Sequence, residues 1–242
     1  MINVSAWARK LGSLAVLTHE ELQLLEQLGS ASRHFTTHDT LAKAGDPADR
    51  MLVVLDGLAC EYKLLPDGRR QILAYLFPGD MTDPRQLLLT RWEHSLCILW
   101  PARIATLMPD AVQRLERHPN IVQALGRYAI MKQAIAREWL VNVGNRTAFE
   151  RLSHLLCETY ARLKSVGLTS DHAFELPLTQ AELADTLALS AVHVNRTLME
   201  LRRLKMVTFQ NRHAAIHDLD GLRSAAGFDP TYLQLPAEAH TY

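Results

Sequence analysis

Four glycines set a beat through the first half of this chain: Gly45, Gly57, Gly68 and Gly79 follow one another at intervals of 12, 11 and 11 residues. They stand in AGDP, DG, PDG and PGD, between the short apolar runs MLVVL, ACEYKLL, QILAYLF and SLCILW. Eleven residues suit a strand of about six plus a turn, and glycine supplies the positive φ that such turns need. Residues 35–107 are therefore predicted to form an all-β barrel or roll.

The beat stops well before the end of a 242-residue chain, which has room for a second unit of ordinary size. Helical signals flank the strands. In THEELQLLEQL, residues 18–28, Thr18 caps a helix and Glu21 completes a capping box. From His118 the apolar residues Ile121, Leu125, Tyr128, Ile135 and Trp139 recur at steps of three, four and seven. A helix over residues 118–142 would be roughly 37 Å long. Its near-heptad seam, interrupted by Lys132, marks a dimer interface at Ile121, Leu125, Tyr128, Lys132, Ile135 and Trp139. A second seam runs through Val122, Ala129, Ala136 and Val143, and burial within one domain is the competing use of such a helix. Thr147 and Glu150 form a further capping box beyond a hinge near Gly144.

The densest constellation lies in LTQAELADTLALSAVHVNRTLMELRRLKMV, residues 178–207. Thr179 and Glu182 box the first helix, whose inner face is Leu183, Ala184 and Leu187; Ala188-Leu189 turn; Ser190 caps a second helix that buries Val194, Leu198 and Leu201. The opposite face carries Ala191, His193, Asn195 and Arg196, with Arg202 and Arg203 further on. A helix of this kind fits the major groove, with its first turn toward base edges and its positive dipole end near phosphate. Lys plus Arg equals Asp plus Glu over the whole chain at 26 each, so the local balance matters more: residues 190–213 hold five cations and one acid. MVTFQNRHAAIHD then alternates about a polar tip, as a two-stranded wing would, with Arg212 able to touch the phosphate backbone. The DNA-binding set is Thr179, Ser190, Ala191, His193, Asn195, Arg196, Arg202, Arg203 and Arg212, with Arg196 placed to read guanine.

GDPADRMLVVLDG, PDGRRQILAYLFPGD, the long helix and SAVHVNRTLMELRR together resemble the cyclic-AMP receptor protein and fumarate-nitrate regulator (Crp/Fnr) family, over about residues 20–223. The resemblance implies an α+β chain: a cyclic-nucleotide-binding-like β-roll over residues 1–117, a dimerisation helix over 118–143, and a winged helix-turn-helix with a tail over 144–242. It also implies a homodimeric transcription regulator that reads an inverted repeat in double-stranded DNA, with RNA polymerase a further candidate partner. The family's bend glycine is Ala188 here, and its recognition-helix glutamate is Val192.

The sensor region departs further. After PGD the chain reads MTDPRQLLLTRWEHS, so Pro84 and His94 fall about where the ribose-binding glutamate and phosphate-gripping arginine of the family's cyclic-AMP binders belong. Proline has neither a side-chain acceptor nor an N–H, so cyclic AMP is disfavoured and the effector is left open, with Arg85, Arg91, His94 and Ser95 as the candidate pocket. No cofactor or metal is assigned. The three cysteines, Cys60, Cys97 and Cys157, fit neither a disulfide framework nor a metal knuckle and are read as reduced, buried thiols; none precedes Cys60, as an iron-sulfur regulator would require. There is no GxSxG, HExxH, GxGxxG or P-loop pattern, so the protein is not read as an enzyme. Lacking a signal-peptide core or an apolar run of about 18 residues, it is expected to be cytoplasmic, with no membrane partner. The alternative is a ligand- or redox-sensing dimer whose helix-turn-helix contacts protein.

Overall fold

A computed structural model describes residues 4–235. Helices α1 (Ala6–Leu14) and α2 (His19–Ser30) open the chain and lead into strands β1 (Ser32–Phe35), β2 (Thr40–Ala42), β3 (Met51–Leu64), β4 (Arg70–Leu76) and β5 (Ser95–Leu107). Helices α3 (Pro109–Glu116), α4 (Pro119–Asn145) and α5 (Ala148–Ser165) follow. The C-terminal part comprises β6 (Ala173–Glu175), α6 (Gln180–Leu187), α7 (Ala191–Arg203), β7 (Val207–Gln210), β8 (His213–Ile216) and α8 (Leu219–Ala226). The fold is the expected α+β arrangement of an antiparallel β-roll, a long helix and a winged helix-turn-helix.

The roll is an antiparallel sheet in the order β1-β5-β3-β4, with β2 also paired to β5. Strand β3 joins two runs that the glycine rhythm divides, because Gly57 is not a hairpin turn. It is a break in register within one 14-residue strand, with irregular pairing to β5 between Val54 and Ala59. Its φ is +81°, and a β-carbon there would lie 2.2 Å from the Pro101 carbonyl oxygen, so the crossing strand permits no side chain. Residues of β3 then divide between two cores. Leu52, Val54 and Ala59 fill the roll with Trp92, Leu96 and Ile98. Met51, Val53, Leu55, Leu58 and Cys60 join a larger core that continues through α1, α4 and α5 to Leu183, Val194 and Phe228.

Helix α4 corrects the expected dimer seam. Ile121, Leu125, Tyr128 and Ile135 are buried within the chain's own core. Tyr128 receives the Met81 N–H on its hydroxyl oxygen at 2.9 Å, Lys132 donates to Glu61 at 2.6 Å, and Trp139 Nε1 donates to Glu158 at 3.3 Å. An apolar stripe meets whatever lies nearest, and here that is the roll and α5. The second seam is split, with Val122 and Ala136 outside, Ala129 inside and Val143 half-buried. The outward face runs through Val122, Gly126, Ile130, Gln133, Arg137, Leu140 and Gly144 at steps of four and three, and Ile130 and Leu140 are 61% and 70% exposed.

All three predicted capping boxes are present, at Thr18–Glu21, Thr147–Glu150 and Thr179–Glu182. Helix α1 is an element that the N-terminal sequence did not announce. It buries Trp7 and Leu11 and brings Lys10 to 3.6 Å from Asp80, beside Arg162, which donates to the same carboxylate at 2.7 Å. Burial works against the Asp80 charge, but Arg162 and Lys10 outweigh it and hold the carboxyl below its ordinary range. Arg162 also reaches Glu158, which accepts from the Tyr232 hydroxyl at 2.8 Å.

Candidate nucleic-acid interface and effector cavity

Helices α6 and α7 form the helix-turn-helix. Thr179 accepts the Glu182 N–H, and the Glu182 carboxylate returns a bond to the Thr179 N–H at 2.7 Å, satisfying donors that the helix start would otherwise leave open. Leu183, Ala184 and Leu187 are buried against α7, as the spacing required. The bend passes through Ala188 at φ 52°, ψ 45°, a left-handed conformation that explains why glycine is the family's residue there. Ser190 caps α7 by accepting the His193 N–H at 3.3 Å.

Val194, Thr197 and Leu201 bury one side of α7, with Leu198 half-buried. Ala191, His193, Asn195, Arg196, Arg202 and Arg203 are exposed on the rest, together with Val192 and Met199. Among the bonds described, none ties up Arg196, Arg202 or Arg203, so their guanidinium donors face solvent at the end of a capped helix. The chemistry available is hydrogen-bond donation to base edges and phosphate, with the helix dipole adding positive potential at Ser190. The wing is larger than expected, since β6 pairs with β8 and makes a three-stranded sheet. At its tip Asn211 and Arg212 have φ of 51° and 65°, as a tight two-residue hairpin demands. Arg212 does not stand free there; its guanidinium lies 4.2 Å from the centre of the Trp100 ring on the roll.

That stacking belongs to a wider contact. Arg70 Nε donates to Asp185 at 2.8 Å, Gln71 donates to the Thr186 carbonyl at 3.2 Å, and the Tyr75 hydroxyl bonds the Thr186 hydroxyl. The first helix of the reading head is thereby laid on β4.

Of the four residues expected to make an effector pocket, only His94 faces the cavity. Arg85 turns to Asp83 at 2.6 Å on the surface, Arg91 donates to the Gly45 carbonyl at 2.6 Å, and the Ser95 hydroxyl accepts the Ala44 N–H at 3.0 Å. Arg91 and Ser95 therefore brace the loop after β2, and Arg85 the turn that it opens with Asp83, rather than gather about a ligand. The cavity itself, about 580 Å³, opens between β4, α4 and α5 and is lined by Glu61, Tyr75, His94, Lys132, Trp139 and Arg162 among others. Glu61 is its centre of charge, 2.6 Å from Lys132 and 3.8 Å from His94. Burial opposes its ionisation, but Lys132 and His94 prevail and hold it below the usual carboxylate range. Glu61 was missed in the sequence reading, although an acid inside the apolar run ACEYKLL is the signal that marks it.

Residues 150–225 match the Crp-like helix-turn-helix domain and residues 32–118 the cyclic nucleotide-binding domain. The nitrogen fixation regulation protein FixK of Bradyrhizobium diazoefficiens is 30% identical over 207 residues, covering 85% of each chain. The transcriptional activator protein FnrL of Cereibacter sphaeroides is 29% identical over 216 residues, covering 87% of this chain and 86% of its own. The solved structure of FixK2 from Bradyrhizobium japonicum superimposes with a TM-score of 0.71 at 21% identity, over 80% of this chain and 96% of that one. With the roll, the long helix and the exposed recognition helix in place, this chain belongs to the Crp/Fnr family of DNA-binding transcription regulators.

Proposed function

We propose that the protein acts as a homodimer that reads an inverted repeat through α7 and does so without cyclic AMP. The exposed face of α7, with Asn195 and Arg196 one turn beyond the Ser190 cap, carries this reading. A guanidinium at that position can donate a bidentate pair to guanine O6 and N7. Two-fold pairing along the outward face of α4 would present two such helices to successive major grooves roughly 34 Å apart. Gly126 and Gly144 support close pairing, because nothing lies within 4 Å of where their β-carbons would stand.

Independence from cyclic AMP is favoured by the cavity's chemistry. Pro84 opens a short 3-10 turn and offers no acceptor, while His94 sits beside Glu61, whose negative charge opposes a phosphate. The test is a binding-site selection on duplex DNA without nucleotide. An inverted repeat should emerge, and Arg196→Ala should lose about 1–3 kcal/mol per contact and relax one symmetric base-pair position. An unchanged base preference in a folded Arg196→Ala protein would remove α7 from its assigned role.

A further inference from the structure

Two of the three cysteines meet. Cys60 on β3 and Cys97 on β5 are direct partners in the antiparallel register, and their sulfurs lie 3.5 Å apart. Directly opposed residues of antiparallel strands have Cα atoms about 4.5–5.5 Å apart, within the roughly 4.4–6.8 Å that a disulfide spans. Closing the bond requires the sulfurs to approach to about 2.05 Å, a movement that side-chain rotation and a small strand adjustment supply. We propose that Cys60 and Cys97 are a redox-active dithiol that a peroxide converts to a cross-strand disulfide.

The surroundings divide the roles. The two sulfurs share one hydrogen bond, which holds the Cys97 thiol below its ordinary range and makes Cys97 the sulfur that loses its proton more readily; burial resists this and Arg70 assists it. The same bond pushes the Cys60 thiol up. Cys97 is also the more accessible of the two, at 6% exposure against 0%. In the first step the Cys97 thiolate attacks one peroxide oxygen: an S–O bond forms, the O–O bond breaks, and hydroxide leaves to become water with the proton Cys97 gave up. In the second, Cys60 sulfur attacks Cys97 sulfur: the S–S bond forms, the S–O bond breaks, and the departing hydroxide takes the Cys60 proton. Two thiols and one hydrogen peroxide thus give one disulfide and two waters, with the sulfur pair oxidised by two electrons and the peroxide oxygens reduced. Cys157 is buried and has no cysteine partner among the described residues; burial pushes its thiol up to about 12, so it serves as an internal control.

The position of the pair gives its oxidation a consequence. Tyr75, the β4 partner of Cys60, bonds Thr186 of α6, and Arg70, whose charge acts on Cys97, is ion-paired with Asp185 of the same helix. Contraction of the sulfurs draws on the strands that seat the first helix of the reading head, so the oxidised protein holds α6 differently.

Treating the full-length protein with a few equivalents of hydrogen peroxide, then unfolding it and counting thiols, is the direct test. The count should fall from three to one, the intact mass should drop by two hydrogens, and peptide mapping should join the segments that contain Cys60 and Cys97 while Cys157 remains alkylatable. Cys60→Ala should leave a Cys97 sulfenic acid that a 1,3-dione probe traps, and Cys97→Ala should leave both remaining thiols intact. Hydrogen exchange over residues 180–187 should differ between the reduced and oxidised wild-type protein. Three free thiols after treatment, a linkage through Cys157 or a linkage between chains would overturn the dithiol assignment; identical exchange in α6 would overturn its coupling. None of these readouts depends on DNA binding, so the dithiol stands or falls apart from the proposed site reading.

Discussion

Placing aspartate on the outward face of α4 should separate the proposed dimer without unfolding the protomer. Ile130 and Leu140 are 61% and 70% exposed, and full burial of such side chains is worth about 1.5–3 kcal/mol each. Covering what is now exposed would contribute about 1–2 kcal/mol per residue. A two-fold interface uses each residue twice, so Ile130→Asp with Leu140→Asp removes about 4–8 kcal/mol before any charge repulsion. At about 1.4 kcal/mol per tenfold, the dissociation constant should rise by a factor of roughly a thousand to several hundred thousand. Sedimentation velocity across a range of protein concentrations measures this, with circular dichroism and thermal melting as checks on folding. The unmodified protein should sediment as a dimer and the folded double variant as a monomer. A monomeric parent, or a variant that dimerises as tightly as the parent, would refute the assignment of this face. Aspartate at Ile135, by contrast, should be read as a folding defect, because that side chain is in the core.

Ala188→Gly should stabilise the protein by about 0.5–1 kcal/mol, because relief of left-handed strain exceeds glycine's added unfolded-state entropy; calorimetry should show a melting temperature a few degrees higher. His154, wholly buried, has its pKa lowered to about 3 by burial and then by Arg146; Glu138, though 3.5 Å away, is held by Arg146 at 2.6 Å. The unfolded imidazole takes up a proton below about pH 6.5 while the folded one refuses it, so its contribution is complete above that pH and is lost as pH falls toward about 3. Urea melts at stepped pH should show a slope of about 1.4 kcal/mol per pH unit that His154→Gln removes.

The local signals of the chain were readable because each has a local cause. A capping box needs only residues i and i+3, and Thr18, Thr147 and Thr179 all behave accordingly. The positive φ at Gly45, Gly68 and Gly79 likewise follows from the turn setting, whereas that at Gly57 comes from a register break within β3 that only the crossing of Pro101 distinguishes from a hairpin. The face of α4 was misassigned because periodicity finds apolar stripes without saying which neighbour covers them, and this helix has two. The effector pocket failed for a related reason. Arg85, Arg91 and Ser95 are close to His94 in sequence, but the loops turn them toward Asp83, Gly45 and Ala44, while Glu61 and Lys132 arrive from 33 and 38 residues away. Short elements such as α1, α3 and β6 gave no pattern long enough to identify, and they are held by tertiary packing.

The buried charges around Asp80 bear on how the molecule comes apart. The matched segments end at residue 118 and begin again at residue 150, which invites a picture of two modules on a string. Packing argues otherwise: Lys10 from the first helix, Asp80 from the roll, Arg162 and Glu158 from α5, and Tyr232 near the C-terminus form one chain of contacts, set in a core that runs from Trp7 to Leu233. Opening either end leaves charges in a low-dielectric interior without their partners, a loss of several kcal/mol that the other half cannot avoid sharing. The protein should therefore melt as one cooperative unit, with calorimetric and van't Hoff enthalpies in agreement for the protomer. A fragment cut at residue 118 should be far less stable than its share of the core suggests, and the N-terminal helix is as much a part of the reading head's foundation as the residues beside it.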